Sequence, residues 1–235
     1  LAMTYSANSK ITDSAAAGTA LSTGSKTNNG MLGMAPDGTH VYSIARELQQ
    51  RGYGIAIGTS VAPDDATPGA FYAHVKSRSM YYEIGLDMAR SGYDMFVGAE
   101  LRGLKDGNGH DTGLLDSLKT HGYTVVEGRE AFEKNKGNDK IVLLNNDPTL
   151  GHFGYTIDSI SENLHLPYIT QACLDHLKRV SPDKFFMMIE GGNIDWAAHA
   201  NDGGAVVKEI LNFNQAIKIA YDFYLSHPDE TLIVI

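Results

Sequence analysis

Three short segments concentrate the side chains able to do chemistry. In Thr12–Gly24 (TDSAAAGTALSTG), Ser14 directly follows Asp13 and opens a run of small residues that can form a closely approachable helix. A hydroxyl at a helix start sits among free backbone N–H groups at the positive end of the dipole, which favours a phosphate and an alkoxide. Taken alone, Asp13 and Ser14 read better as an ordinary helix cap than as a catalytic site. No G-x-S-x-G surrounds Ser14. Gly18–Thr27 fails as a phosphate-binding loop because Ser25 separates Gly24 from Lys26. In Phe185–Asp202 (FFMMIEGGNIDWAAHAND), Glu190 directly follows an apolar run, and Asp195 and His199 stand four residues apart, on one face of a helix. That pair could ligate zinc or form a solvated ion pair, while Glu190 offers a hard oxygen for magnesium. In Asp64–Arg78 (DDATPGAFYAHVKSR), Asp65 or Thr67 could cap a helix with Pro68 in its first turn, leaving Arg78 on the solvated face. His74 reads as a packed or surface histidine.

The elements that must position these groups follow from periodicity. Apolar runs at Tyr53–Thr59, Asp94–Gly98, Tyr123–Val126, Lys140–Leu144, Phe185–Ile189 and Leu232–Ile235 are nearly continuous, as in strands covered on both faces. Amphipathic stretches at Val41–Gln50, Thr67–Lys76, Leu114–His121, Ile169–Val180 and Gly204–Leu225 alternate with them. The alternation predicts an α/β fold of three layers, a mostly parallel central sheet with helices on both faces. Ligands in such folds sit beyond the carboxyl ends of the strands. Of the glycine- and asparagine-rich stretches, Thr23–Gly38 reads as an ordered turn region near the site. Leu104–Gly113 and Asn135–Gly154 read as surface loops without chemistry.

The chain has 235 residues, 43% hydrophobic and 20% charged, within the range of folded globular proteins. A formal charge of −9 argues against a general nucleic-acid or anionic-membrane surface. One cysteine, Cys173, excludes an intramolecular disulfide. No apolar run approaches the ~20 residues of a membrane helix, and the opening residues show no targeting segment.

Together and in this order, the three segments resemble the alkaline phosphatase family: Asp-Ser-Ala with the small-residue helix, Asp-Ala-Thr-Pro with Ala-His and an arginine downstream, and Glu-Gly-Gly-x-Ile-Asp with a histidine four residues on. The resemblance spans the chain and is weakest between about Glu100 and Gln171. It implies an alkaline-phosphatase-like fold and a metal-dependent phosphate monoester hydrolase acting through phosphoserine. Ser14 would be the nucleophile and a zinc ligand, and Arg78 would clamp the phosphate through a fork that lysine cannot supply. Asp13 would orient that arginine. Asp195 and His199 would hold the second zinc, while Asp65, Thr67 and Glu190 would hold magnesium. It further implies small phosphate monoesters as substrates, a homodimer, and a periplasmic or extracellular location.

The resemblance has gaps. Relatives carry a metal-binding Asp on a strand before the serine, and an Asp-His pair and a later histidine beyond a strand like Thr231–Ile235. The chain is therefore expected to be one α/β domain over 1–235, an internal piece incomplete at both ends and inactive by itself, with variable inserted loops and short elements at about 100–170. Trp196 stands where some relatives have a lysine or histidine and reads as a packing aromatic. Phe96–Leu101 (FVGAEL) departs from the Gly-Gly-Gly common in relatives. Two alternatives stay open: a non-catalytic divalent-metal-binding α/β unit, and a phosphodiesterase or sulfatase relative. The sulfatase reading is weakened because Ser14 lacks a Cys/Ser-x-Pro-x-Arg context.

Overall fold

Five of the six apolar runs become strands. The computed structural model describes residues 3–147, 151–158 and 164–235. Its strands are β1 (Gly54–Thr59), β2 (Met95–Gly98), β3 (Thr124–Glu127), β4 (Ile141–Leu144) and β5 (Phe185–Glu190). All pairings are parallel, and the order is β3-β4-β2-β1-β5. Alternation along each strand divides the core in two. Ile55, Ile57, Phe96, Val142 and Leu144 face one layer of helices, while Ala56, Met95, Val97, Ile141 and Leu143 face the other. Each fully buried aliphatic or aromatic side chain contributes about 1.5–3 kcal/mol.

The first layer holds α1 (Ser14–Thr23), α2 (Ile44–Gln50), the four-residue α3 (Ala66–Gly69), α4 (Tyr81–Ser91) and α5 (Leu114–Thr120). The second holds α6 (Gly128–Asn135), α7 (Leu166–Val180) and α9 (Gly203–Ser226), with α8 (Gly192–His199) packed on α9. Helix α7 buries Ile169, Cys173 and Leu177 along one stripe and packs on β1 and β5. The architecture is the expected three-layer α/β/α arrangement.

Three expectations are corrected. The helix expected over Thr67–Lys76 ends at Gly69, because Val75 exchanges two backbone hydrogen bonds with Leu32 and so leaves the helical path. Leu232–Ile235 is no strand. An apolar run joins a sheet only where its backbone groups find a ladder, and here no described strand pairs with it. Leu232, Val234 and Ile235 are more than four-fifths exposed. The stretch Asn135–Gly154 is also less superficial than expected. Residues 148–150 lie outside the described ones, but Asn145 is fully buried and its side-chain oxygen accepts the Leu164 N–H at 2.9 Å.

Candidate active site

Helix α1 begins where it does because Asp13 caps it. Asp13 Oδ1 accepts the Ala16 N–H at 2.9 Å, and its Oδ2 accepts the Gly30 N–H at 2.9 Å. Ser14 is thus the first helical residue rather than the cap itself, half-exposed beside free N–H groups at the positive helix end. The helix stops at Gly24, whose φ of 75° suits the left-handed cap. The turn region after it does belong to the site, since the Gly30 carbonyl accepts the Arg78 N–H at 2.6 Å. One short turn therefore fixes both Asp13 and the backbone of Arg78.

Close approach of α1 to α3 depends on Gly18. A Cβ there would lie 3.0 Å from Ala70 Cβ and 3.5 Å from Thr67 Cα, and Ser22 Oγ donates to the Ala70 carbonyl at 2.7 Å. Asp65 caps α3, its Oδ1 accepting the Ala66 N–H at 2.8 Å. Arg78 lies between two carboxylates, 3.7 Å from Asp13 Oδ2 and 3.4 Å from Asp65 Oδ1, with its side chain one-third exposed. Arg78 is therefore not on a solvated helix face.

Glu190 ends β5, beside the end of β1. Thr59 Oγ1 donates to Glu190 Oε2 at 2.6 Å, and Thr67 lines the same cavity as that carboxylate. Loss of hydration pushes the Glu190 carboxyl up to about 7, and the nearby Asp65 and Asp195 charges act in the same direction. On α8, Asp195 Oδ1 and His199 Nε2 are 3.6 Å apart, with both side chains largely exposed.

Ser14, Asp65, Thr67, Arg78, Glu190 and Asp195 line one cavity of about 260 Å3 at the carboxyl ends of β1 and β5. Asp13 stands behind Arg78. His199 is not in the lining. Trp196 is a wall of the cavity as well as a packing aromatic, its ring 5.3 Å from that of His152. A larger cavity of about 420 Å3 shares no lining residue with this one and contains none of the sequence-predicted groups.

Sequence reasoning missed Asp64, Glu100 and Arg102. Asp64 is fully buried and accepts the Arg102 and Gly103 N–H groups at 3.1 and 2.8 Å. Its carboxyl is pushed up to about 7 by burial. Arg102 Nη1 lies 3.5 Å from Asp65 Oδ2, and Arg102 Nε lies 3.7 Å from Glu100 Oε1. Glu100 and Arg102 follow β2 directly, so the emphasis on polar residues just past a strand would have found them.

The donor chemistry can be tested against metals. Asp65, Thr67 and Glu190 are hard oxygen donors around one space, which fits magnesium. Asp195 and His199 alone do not complete a zinc site, which takes three or four protein ligands. Among the described residues no group of three or more His, Cys, Asp or Glu is placed to hold a metal ion.

Comparison with known proteins adds a second line. A family model described as alkaline phosphatase matches residues 1–97 and 92–235. Alkaline phosphatase 4 of Bacillus subtilis is 35% identical over 219 residues, covering 91% of this chain and 46% of that protein. An alkaline phosphatase from the Antarctic bacterium TAB5 superposes with a TM-score of 0.84 at 30% identity, covering 96% of this chain and 64% of the other. A variant of the TAB5 enzyme, with magnesium bound in its M3 site, gives a TM-score of 0.85. The chain spans about half the length of the curated relatives it matches.

Proposed function

This chain belongs to the alkaline phosphatase family, and from that premise we propose that it carries the nucleophile and phosphate clamp of a phosphate monoester hydrolase. The observation that supports this reading is the shared cavity lining: a hydroxyl at a helix start, a guanidinium between two carboxylates, and clustered oxygen donors.

Ser14 Oγ attacks the phosphorus of a monoester. The Oγ–P bond forms as the ester P–O bond breaks, the Ser14 hydroxyl proton is released to solvent, and the leaving oxygen takes a proton from solvent as the alcohol. Water then attacks the phosphoserine, the new O–P bond replacing Oγ–P, and phosphate departs. The N-terminal dipole of α1 lowers the cost of charge on Ser14 Oγ. Arg78 binds two nonbridging oxygens through parallel N–H bonds and keeps the phosphate in line with Oγ. Asp13 holds that guanidinium while gripping the Gly30 turn. Magnesium at Asp65, Thr67 and Glu190 would supply fixed positive charge beside the nucleophile; the oxygen donors around one space support this assignment, and a variant of the related TAB5 enzyme has magnesium bound. By family membership, Ser14 would ligate one zinc ion, and Asp195 and His199 would contribute to the other. A homodimer, and a periplasmic or extracellular location, rest on the same membership. Among the described residues no helix is long and apolar enough to cross a membrane.

The test is hydrolysis of p-nitrophenyl phosphate by the whole protein with zinc and magnesium supplied, compared with Ser14→Ala. The variant is expected to lose about 10³-fold or more in kcat. Full activity in Ser14→Ala rejects the assignment.

A further inference from the structure

Strand alternation sends one further hydroxyl to the face of the sheet that carries the site. Ile55 and Ile57 of β1 face the first layer of helices, so Thr59, two residues on, points the same way. Its register partner on β5 is Glu190, and the two side chains leave the sheet together on the α3 side. Thr59 is fully buried. Its Oγ1 donates to Glu190 Oε2 at 2.6 Å and accepts the Val61 N–H at 3.2 Å. Because Val61 already donates to Oγ1, the hydroxyl proton is turned toward the carboxylate. The turn that carries the hydroxyl is itself fixed. The Ser60 N–H donates to the Glu190 carbonyl at 3.2 Å, and Ser60 Oγ accepts the Asn193 N–H at 3.0 Å. The Val61 carbonyl accepts the Ala99 N–H at 2.8 Å, just past β2.

Glu190 lines the cavity and Thr59 does not, so the hydroxyl reaches the cavity only through Glu190. A carboxylate at a strand end can swing about its own side-chain bonds, and a cation that it ligates must overcome that lost freedom. A hydrogen-bonding partner behind a ligating group removes the freedom in advance and fixes the group's direction. We infer that Thr59 is a positioning residue for a divalent cation: its hydroxyl engages Oε2 and holds the Glu190 carboxylate toward the space it shares with Asp65 and Thr67. Thr59 brings no charge, so the balance between a bound cation and its carboxylates is untouched, and only the orientation of one ligand is set. The inference rests on the reading that magnesium occupies that space.

The experiment uses the whole protein with zinc held constant and magnesium titrated, as wild type, Thr59→Val and Thr59→Ser. Valine keeps the shape of threonine without the hydroxyl, and serine keeps the hydroxyl. Magnesium binding is read by calorimetry, and turnover with p-nitrophenyl phosphate at limiting and at saturating magnesium. Thr59→Val is expected to raise the magnesium Kd about tenfold, and Thr59→Ser to stay within about twofold of wild type. Turnover by Thr59→Val should fall at limiting magnesium and return to within about twofold of wild type at saturation, a rescue that a merely distorted fold would not show. Should Thr59→Val fail to fold, Thr59→Ala takes its place with the same expectations. An unchanged magnesium Kd in Thr59→Val overturns the inference, as does a serine no better than valine, or a loss of turnover that excess magnesium leaves in place. Wild-type protein that binds magnesium in a Thr59-dependent way yet hydrolyses nothing sinks the hydrolase reading alone. Hydrolysis with Thr59-independent magnesium binding sinks this inference alone, and no magnesium binding by the wild type sinks it together with the magnesium assignment.

Discussion

Gly18 offers a graded test of how far the site depends on one helix contact. A Cβ at Gly18 would stand 3.0 Å from Ala70 Cβ, 3.5 Å from Thr67 Cα and 3.6 Å from the Thr67 carbonyl. In Gly18→Ala the single methyl asks α3 to give by a few tenths of an ångström. That cost is offset by the ~1 kcal/mol an interior helix gains when alanine replaces glycine. Melting is therefore expected within about 3 °C of wild type. Gly18→Val adds two further carbons and a stiff χ1 where backbone already occupies the space. Overpacking of this kind costs about 1–3 kcal/mol, or roughly 2–12 °C in Tm for a chain of this size. The strain is relieved by moving α1 away from α3, which carries Ser14 away from Thr67 and Asp65. A displacement near 1 Å at a reacting group costs about 10²-fold. Circular-dichroism melts and p-nitrophenyl phosphate turnover, measured on both variants, separate the two effects. Wild-type turnover in folded Gly18→Val would refute the claim that this contact sets the register of the nucleophile.

Three further outcomes are expected. Arg78→Lys keeps the charge but loses one of two parallel phosphate bonds, so kcat/KM should fall about 10- to 100-fold, and an unchanged value removes Arg78 from the clamp. His176 is buried with Nε2 3.1 Å from the Asp139 carbonyl, and burial lowers its pKa from 6.5. The unfolded chain therefore binds the extra proton first, and this contribution to stability is present above the unfolded value and lost as pH falls below about 6.5. Urea titrations of His176→Gln between about pH 5 and 6.5 should show a shallower pH slope than wild type, and identical slopes refute the assignment. Cys173 is buried, and burial pushes its thiol up to about 12, so a disulfide reagent at neutral pH should label it only as fast as the protein opens. Rapid labelling of the native protein would contradict that burial.

Strands were the most legible part of the sequence because covered parallel strands keep nearly unbroken apolar runs. Ile55–Ile57 and Ile141–Leu144 advertise themselves in this way. Helix α4 was passed over although Ile84 and Met88 lie one turn apart on its buried face. Helix α6 was passed over because its buried side consists of little more than Phe132. The end of α3 was hidden for a different reason: Val75 is drawn out of the helix by Leu32, 43 residues earlier, and no local pattern reports such pairing. Ser14, Asp65, Thr67, Arg78, Glu190 and Asp195 could be singled out because each sits at a helix start, a strand end or within a recognisable segment. Arg102 could not be paired with Asp65 from sequence, since the contact depends on β1 and β2 being neighbours and on the buried Asp64 joining their loops.

The chain contains a single tryptophan, and it is Trp196. Because that residue forms a wall of the cavity next to Asp195 and over Arg102, all indole fluorescence originates at the place where a ligand would arrive. Quenching, spectral shifts and anisotropy of that indole can then follow occupancy in real time, with no label introduced.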